Sequence, residues 1–198
     1  MHAHVHGLVL AAGQGRRMGG PKAVLRLTPD GPTLVETAIL RLRAGGCEHV
    51  TAVVGAAYPQ VVPYAESAGA AVVVAADWAQ GMGASLRCGL DALAATTAVA
   101  VVVTLVDLPD VTETVIARVL DSVAATGAGW SGVLARAAYG GRPGHPVVLG
   151  RDHWPRVRGA AAGDRGARDI LTPEATLLVE CGDLATGRDV DRPTDLGS

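Results

Sequence analysis

The chain has 198 residues, 49% of them apolar, with aromatic residues at 3% and phenylalanine absent, which suits one α/β domain with an aliphatic core of valine, alanine and leucine. A formal charge of −2, with both signs spread along the sequence, excludes the basic field that a nucleic-acid binder needs. No apolar run reaches the roughly 18 residues of a membrane span, and no basic residue precedes the first apolar stretch, so no membrane partner is expected and the expected location is cytoplasmic.

Val5 to Leu10 reads as a short buried strand, because small residues abruptly end an apolar, partly β-branched run. Thr33 to Ala44 has apolar residues at helical spacing and stops at Gly45-Gly46; His49 to Val54 reads as a strand and Val61 to Ala68 as a short helix after Pro59. A strand at Ala71 to Ala75, a helix from Gly83 to Ala95, a strand at Val99 to Val106 and a helix from Val111 to Ala125, capped by Thr112, continue the alternation. Repeated βαβ units predict a mostly parallel sheet with helices on both faces. From Gly127 to Pro146, glycine and short strands predict a small mixed or antiparallel addition that shapes a substrate pocket. Without repeats, low-complexity segments or linkers, residues 1–198 are expected to form a single domain.

Lys22 is the only lysine of the chain, and it closes the stretch Ala11-Ala12-Gly13-Gln14-Gly15-Arg16-Arg17-Met18-Gly19-Gly20-Pro21-Lys22. A chain that otherwise uses arginine places a compact ammonium charge at this one position. The strand delivers the backbone into glycines that tolerate positive φ and let N–H groups converge, a concavity suited to anions. Arg16, Arg17 and Lys22 add about three positive charges, enough with a divalent cation to offset a nucleoside triphosphate. A P-loop would need a hydroxyl after the lysine, where Ala23 stands; a dinucleotide fingerprint would need a third glycine where Met18 stands, leading into a helix that Gly19-Gly20-Pro21 prevents. Asp107 ends a second hydrophobic run, placing it at the carboxyl end of a buried strand, although an aspartate ahead of Pro109 also suits a turn or a helix cap.

From Leu10 to Lys22 the loop resembles the Leu-Ala-Ala-Gly-x-x-x-Arg-Met-Gly-x-x-Lys motif of the nucleotidyltransferases related to molybdopterin guanylyl- and cytidylyltransferases, the MobA-like NTP transferases. The resemblance extends to Asp77-Trp78-Ala79-Gln80-Gly81-Met82-Gly83-Ala84-Ser85-Leu86, to Thr104-Leu105-Val106-Asp107-Leu108-Pro109, to Gly144-His145-Pro146, to Gly163-Asp164-Arg165-Gly166-Ala167-Arg168 and to Asp189-Val190-Asp191-Arg192-Pro193. It departs where an Asn-Pro is often found and Ala75-Ala76 stands here. It implies a three-layer α/β/α Rossmann-like fold of the nucleotide-diphospho-sugar transferase type, with a nucleotide-binding half to about residue 110 and an acceptor-binding half beyond.

By the same resemblance, Lys22 and Arg17 are catalytic and Leu10, Ala11, Ala12, Gly13, Gly15, Arg16, Gly81 and Ser85 hold the nucleotide. Asp107 binds Mg²⁺, with Asp191 as a second ligand for which Asp189 and Asp195 are alternatives. His145, Asp164 and Arg168 contact the acceptor. Ala11-Ala12-Gly13 is similar to the CTP-using members, where GTP users have a further glycine, and molybdopterin is the implied acceptor, with a molybdoenzyme or its chaperone as protein partner. The chain is also similar to NAD(P)H-dependent reductases of the nicotine-blue type, and transfer to a sugar or polyol phosphate would retain the same loop.

Cys47, Cys88 and Cys181 are widely spaced and odd in number, and read as buried free thiols. His2, His4 and His6 alternate as on one face of a strand, and read as an ordinary frayed terminus.

Overall fold

The computed structural model describes residues 4–161, 163 and 167–190, with the side chain of Arg17 outside the description. Strands β1 (Val5–Ala11), β2 (His49–Val54), β3 (Ala71–Val74), β4 (Ala100–Leu105), β5 (Leu134–Tyr139), β6 (Arg142–Gly150) and β7 (Leu177–Glu180) form one sheet in the order β3-β2-β1-β4-β6-β5-β7. Only β6 runs against its neighbours, β4 and β5; the other pairs are parallel. The expected mixed addition is thus a hairpin, turned at Gly140 and Gly141, whose φ values of 59° and 75° are the left-handed pair that a tight two-residue connection favours.

Helices α1 (Leu34–Ala44), α2 (Tyr58–Ser67) and α4 (Glu113–Ala125) pack on one face, while α3 (Met82–Ala94) and α5 (Trp154–Ala160) pack on the other. Both interfaces are mainly aliphatic. Val9, Val35, Ile39, Ala52 and Val102 meet on the first, and Leu8, Leu90, Val101, Val103 and Leu149 on the second. Thr33 starts α1 through a capping box with Glu36, whose carboxylate accepts from the Thr33 amide at 2.7 Å.

Several local expectations shift. Helix α2 begins at Tyr58, so Pro59 lies inside its first turn, where a missing N–H leaves no bond unmade. Thr112 does precede α4, but its hydroxyl pairs with that of Thr114 at 2.6 Å instead of capping a helix amide. His6 is not frayed: it lies in β1 at 6% exposure, its ring 5.1 Å from that of His49 on β2. Cys47 and Cys181 are buried as expected, whereas Cys88 is only half-buried.

Candidate active site

Leu10 of β1 and Leu105 of β4 are paired neighbours, so the glycine-rich loop and Asp107 leave the sheet side by side at its carboxyl edge, where open α/β sheets bind ligands. Gly15 turns the loop: its φ is 62°, and a Cβ there would lie 1.9 Å from the Gly20 carbonyl oxygen. The Gly15 carbonyl accepts from the amides of Met18 and Gly20 at 2.9 and 3.3 Å, winding Arg16–Met18 into a 3-10 turn. The amides of Gly13, Gln14 and Gly15 make no hydrogen bond among the described residues, leaving them available to an anion.

A second 3-10 turn, Lys22–Val24, follows Pro21 and sets Lys22 across from the end of β4. Its Nζ donates to Asp107 Oδ2 at 2.7 Å, with the two side chains 15% and 18% exposed. The lysine that composition singled out and the aspartate that strand position singled out are therefore in contact. Asp107 is held from behind. Arg41 Nη1 on α1 donates to the carbonyls of Pro109 and Val111 at 2.6 and 3.3 Å, and burial lowers the pKa of this arginine. On the other side the Val190 amide donates to the Asp107 carbonyl at 2.9 Å, and Asp110 accepts from the Thr186 amide at 2.6 Å. The C-terminal segment is thereby strapped along the 107–110 turn up to Val190; Asp191, the residue after it, lies outside the described residues.

The opposite wall comes from the start of α3. A 3-10 turn, Trp78–Gln80, leads to Gly81, whose φ of 104° admits no ordinary side chain, and then to Ser85, buried at 4% exposure in the first turns of α3. Gly55 after β2 lets this wall close on the loop, since a Cβ there would come 2.7 Å from Trp78 Cβ and 2.8 Å from Ala12 Cβ. Arg87 of α3 fixes the turn from within, reaching Asp77 at 3.3 Å and also the Ala161 carbonyl after α5.

The walls enclose a cleft of about 580 Å³ lined by Leu10, Ala11, Ala12, Gly13, Gly15, Arg16, Lys22, Gly81, Ser85 and Asp107, all expected from the sequence. Gln14, Ala23, Trp78, Ala79, Met82, Leu105 and Val106 line it as well. Trp78 could have been found: in a chain without phenylalanine, a tryptophan inside a ligand segment marks the surface on which a base can stack. His145 and Arg168 are absent from this lining. Burial first, and then the charges of Arg136 of β5 and of Arg168, lower the His145 pKa to about 4. The side chain of Arg17, and all of Asp164 and Asp191, lie outside the described residues.

Because its folded pKa lies below that of an unfolded histidine, His145 takes up a proton on unfolding between about pH 6.5 and 4. Stability therefore falls as pH drops through that window, and buried His6, its pKa lowered by desolvation first and by His49 next, contributes with the same sign. His145→Gln is expected to flatten the decline in unfolding midpoint between pH 6.5 and 4.5. A slope equal to that of the wild type would show that His145 does not carry it.

A sequence model described as the MobA-like NTP transferase domain matches residues 7–178. The chain belongs to this family. Its fold is accordingly found in a nucleotidyl transferase from Methanothermobacter thermautotroptrophicus, at a TM-score of 0.80 and 20% identity over 98% of this chain and 94% of that one. Rv0371c from Mycobacterium tuberculosis H37Rv, crystallised in complex with manganese, is similar at 25% identity and a TM-score of 0.73, over 98% of this chain and 96% of that one. Among curated proteins, the nicotine blue oxidoreductase of Paenarthrobacter nicotinovorans is 40% identical over 197 residues, 94% of this chain and 92% of that protein. The family is one of NTP transferases, while one curated relative of the chain carries the name of an oxidoreductase.

Proposed function

We propose that this chain transfers a nucleoside monophosphate, CMP by preference, from a nucleoside triphosphate to the phosphate of a molybdopterin-type acceptor. The observation that carries the reading is the Lys22–Asp107 pair, 2.7 Å apart at the mouth of a glycine-rich loop. One fixed cation and one carboxylate beside free loop amides suit a triphosphate, which needs charge neutralised and its α-phosphorus positioned. An acceptor phosphate oxygen forms the new bond to that phosphorus as the bond to the bridging β-phosphate oxygen breaks, and pyrophosphate leaves with the electron pair. The nucleophile is already an anion, so no general base is required of the protein.

Lys22 stabilises charge around the α-phosphate, Arg16 and Arg17 the outer phosphates, and the Gly13–Gly15 amides cradle the chain of phosphates. The base lies between Trp78 and Ser85, where the Ala12 side chain, packed toward Gly55, leaves less room for a purine. Among the described residues no group of three or more histidine, cysteine or carboxylate side chains could hold a metal. Asp107 alone nevertheless fits a hard cation of the Mg²⁺ kind, which takes one or two carboxylates and completes its shell with water and substrate phosphates. Asp107, with Asp191 as second ligand, would hold Mg²⁺, which supplies Lewis-acid neutralisation of the triphosphate. His145, Asp164 and Arg168 serve the acceptor.

The 40% identity to a protein named nicotine blue oxidoreductase favours a second reading, NAD(P)H-dependent reduction. The loop speaks against it: it passes through two 3-10 turns and reaches its first helix only at Leu34, whereas a dinucleotide loop runs directly into a helix N-terminus. Pyrophosphate release with Mg²⁺, CTP or GTP, and molybdopterin or a sugar or polyol phosphate tests the proposal. Release with CTP and molybdopterin supports it in full; release only with a sugar or polyol phosphate moves the acceptor assignment; none with any pair removes it.

A further inference from the structure

The C-terminal strap, residues 181–190, is tied down at several points around the carboxyl edge of the sheet. Where it leaves β7, the Cys181 amide donates to the Ala138 carbonyl at 2.7 Å, and Asp183 then meets both terminal nitrogens of Arg118 on α4, Nη2 at 2.9 Å. That ion pair is exposed, its side chains at 36% and 63%, so solvent screening leaves it little weight. Gly187 passes close over the hairpin at a φ of 65°, where a Cβ would lie 2.3 Å from the Tyr139 ring. The strap then reaches Val190, buried at 4% exposure, whose amide holds the Asp107 carbonyl.

Between these points stands Asp110. Its Oδ2 accepts from the Thr186 amide at 2.6 Å and from the Thr186 hydroxyl as well. The same hydroxyl accepts from the Arg188 amide at 3.3 Å, which turns the chain toward Val190. Thr186 is exposed and Asp110 half-buried, so the order of this stretch comes from the carboxylate and not from burial of the threonine. The post to which the strap is tied is itself fixed, because Arg41 of α1 donates to the carbonyls of Pro109 and Val111, the residues on either side of Asp110. Asp110 also carries a cost. Its Oδ1 is buried and has no hydrogen-bond partner among the described residues, an unfavourable state that the charge of Arg41 offsets only in part. Such a cost marks a position kept for what its other oxygen holds.

We propose that Asp110 is a positioning residue for the divalent cation at Asp107: by holding Thr186 it fixes the strap whose Val190 amide sets the Asp107 carbonyl and whose next residue is Asp191. The proposal rests on the transferase reading of the cleft, which gives Asp107 its cation. Asp110 is not among the residues that line the cleft; it acts through the chain from Thr186 to Val190. Without its carboxylate, the entropy of ordering that chain opposes the bond between Val190 and Asp107. The Asp107 turn then loosens on the side facing the strap, and the cation meets a spread of ligand geometries instead of one. Outer partners of metal ligands act in this way, and their loss typically lowers metal affinity by about tenfold to a hundredfold.

The test measures Mn²⁺ binding by electron paramagnetic resonance on the whole chain, for the wild type, Asp110→Ala, Asp110→Asn, Thr186→Val and Thr186→Ser. Inorganic tripolyphosphate is titrated into the same proteins by calorimetry without metal. Half-saturation by Mn²⁺ is expected at least about tenfold higher in Asp110→Ala and close to the wild type in Asp110→Asn, which keeps an acceptor oxygen for Thr186. Thr186→Val, where the amide contact survives, should show a smaller rise, and Thr186→Ser should show none. Tripolyphosphate should bind all five proteins alike, since it addresses the glycine-rich loop. Equal Mn²⁺ affinity in the wild type and Asp110→Ala would overturn the proposal. So would an equal loss in Asp110→Asn, which makes the effect one of charge at a distance, or a parallel loss of tripolyphosphate binding, which makes it a general loosening of the fold. Should Asp110→Ala fail to fold, the Thr186 pair decides, because an exposed threonine tolerates both changes. Failure of the transferase reading has its own signature: Mn²⁺ binding that is absent from the wild type, or indifferent to Asp107→Asn, takes away the cation that Asp110 would serve. A site lost in Asp107→Asn but unchanged in Asp110→Ala fails the positioning role alone.

Discussion

Lys22→Ala is expected to lower turnover by roughly a hundred- to a thousandfold, about 3–4 kcal/mol of transition-state stabilisation, while the protein remains folded. The substitution removes the ammonium at the mouth of the loop, the one protein cation that the proposal sets at the α-phosphate. Lys22→Arg should not restore the rate, because a planar fork cannot place its charge where the ammonium Nζ meets Asp107 Oδ2. The same contact adds a second expectation. The lysine occupies a carboxylate oxygen that a divalent cation would need, so Lys22→Ala should bind Mn²⁺ more tightly than the wild type even as it loses activity. Steady-state rates together with Mn²⁺ titration by electron paramagnetic resonance check both. A folded Lys22→Ala protein with near-normal rate would refute the role given to this residue.

Asp107→Ala is expected to abolish the metal-dependent part of nucleotide binding, a loss of about a hundredfold or more in affinity when Mg²⁺ is present. Binding without metal should change far less, since the loop amides, Arg16 and Lys22 are untouched and Lys22 is released from its ion pair toward the phosphates. Asp107→Asn, close in size, separates charge from packing. It preserves the turn held by Arg41 and Val190 through backbone carbonyls and should lose metal dependence to the same degree. Metal-dependent binding unchanged in Asp107→Asn would move the cation to other ligands.

The parts of this architecture that were legible in the sequence are those whose cause is local. Glycines at 13, 15, 19 and 20 announce a loop that folds on itself, and apolar residues at helical spacing from Thr33 to Ala44 announce a helix, because both signals lie within one short stretch of chain. The composition marked Lys22 and the end of a hydrophobic run marked Asp107. Their contact spans 85 residues, and only the parallel pairing of β1 with β4 makes it. Arg41 remained hidden for the same reason: nothing in α1 indicates that one of its arginines supports a turn 68 residues later. Helix α5 and strand β7, seven and four residues long, are too short for periodicity to identify. His6 was misjudged because nearness to the terminus suggested fraying, whereas β1 lies between β2 and β4 and is buried throughout.

The acceptor half depends on the resemblance more heavily than the nucleotide half does. The cleft can be rebuilt from glycine geometry, the β1–β4 register and one ion pair, whatever name its relatives carry. The choice between transfer and reduction lies in that cleft, because a triphosphate with a hard cation and a dinucleotide make different demands on it. A triphosphate needs the Asp107 carboxylate and the Lys22 ammonium. A reduced nicotinamide dinucleotide needs neither a metal nor a carboxylate beside its pyrophosphate, where the like charge would repel.

Isothermal titration of the purified protein with CTP, GTP and NADPH, each with and without Mg²⁺, tests this most directly. Tight CTP binding that requires Mg²⁺, weaker GTP binding, and loss of the metal effect in Asp107→Ala are the expected results. Metal-independent binding of NADPH with no preference for a nucleoside triphosphate would contradict it and give the cleft to a reductase.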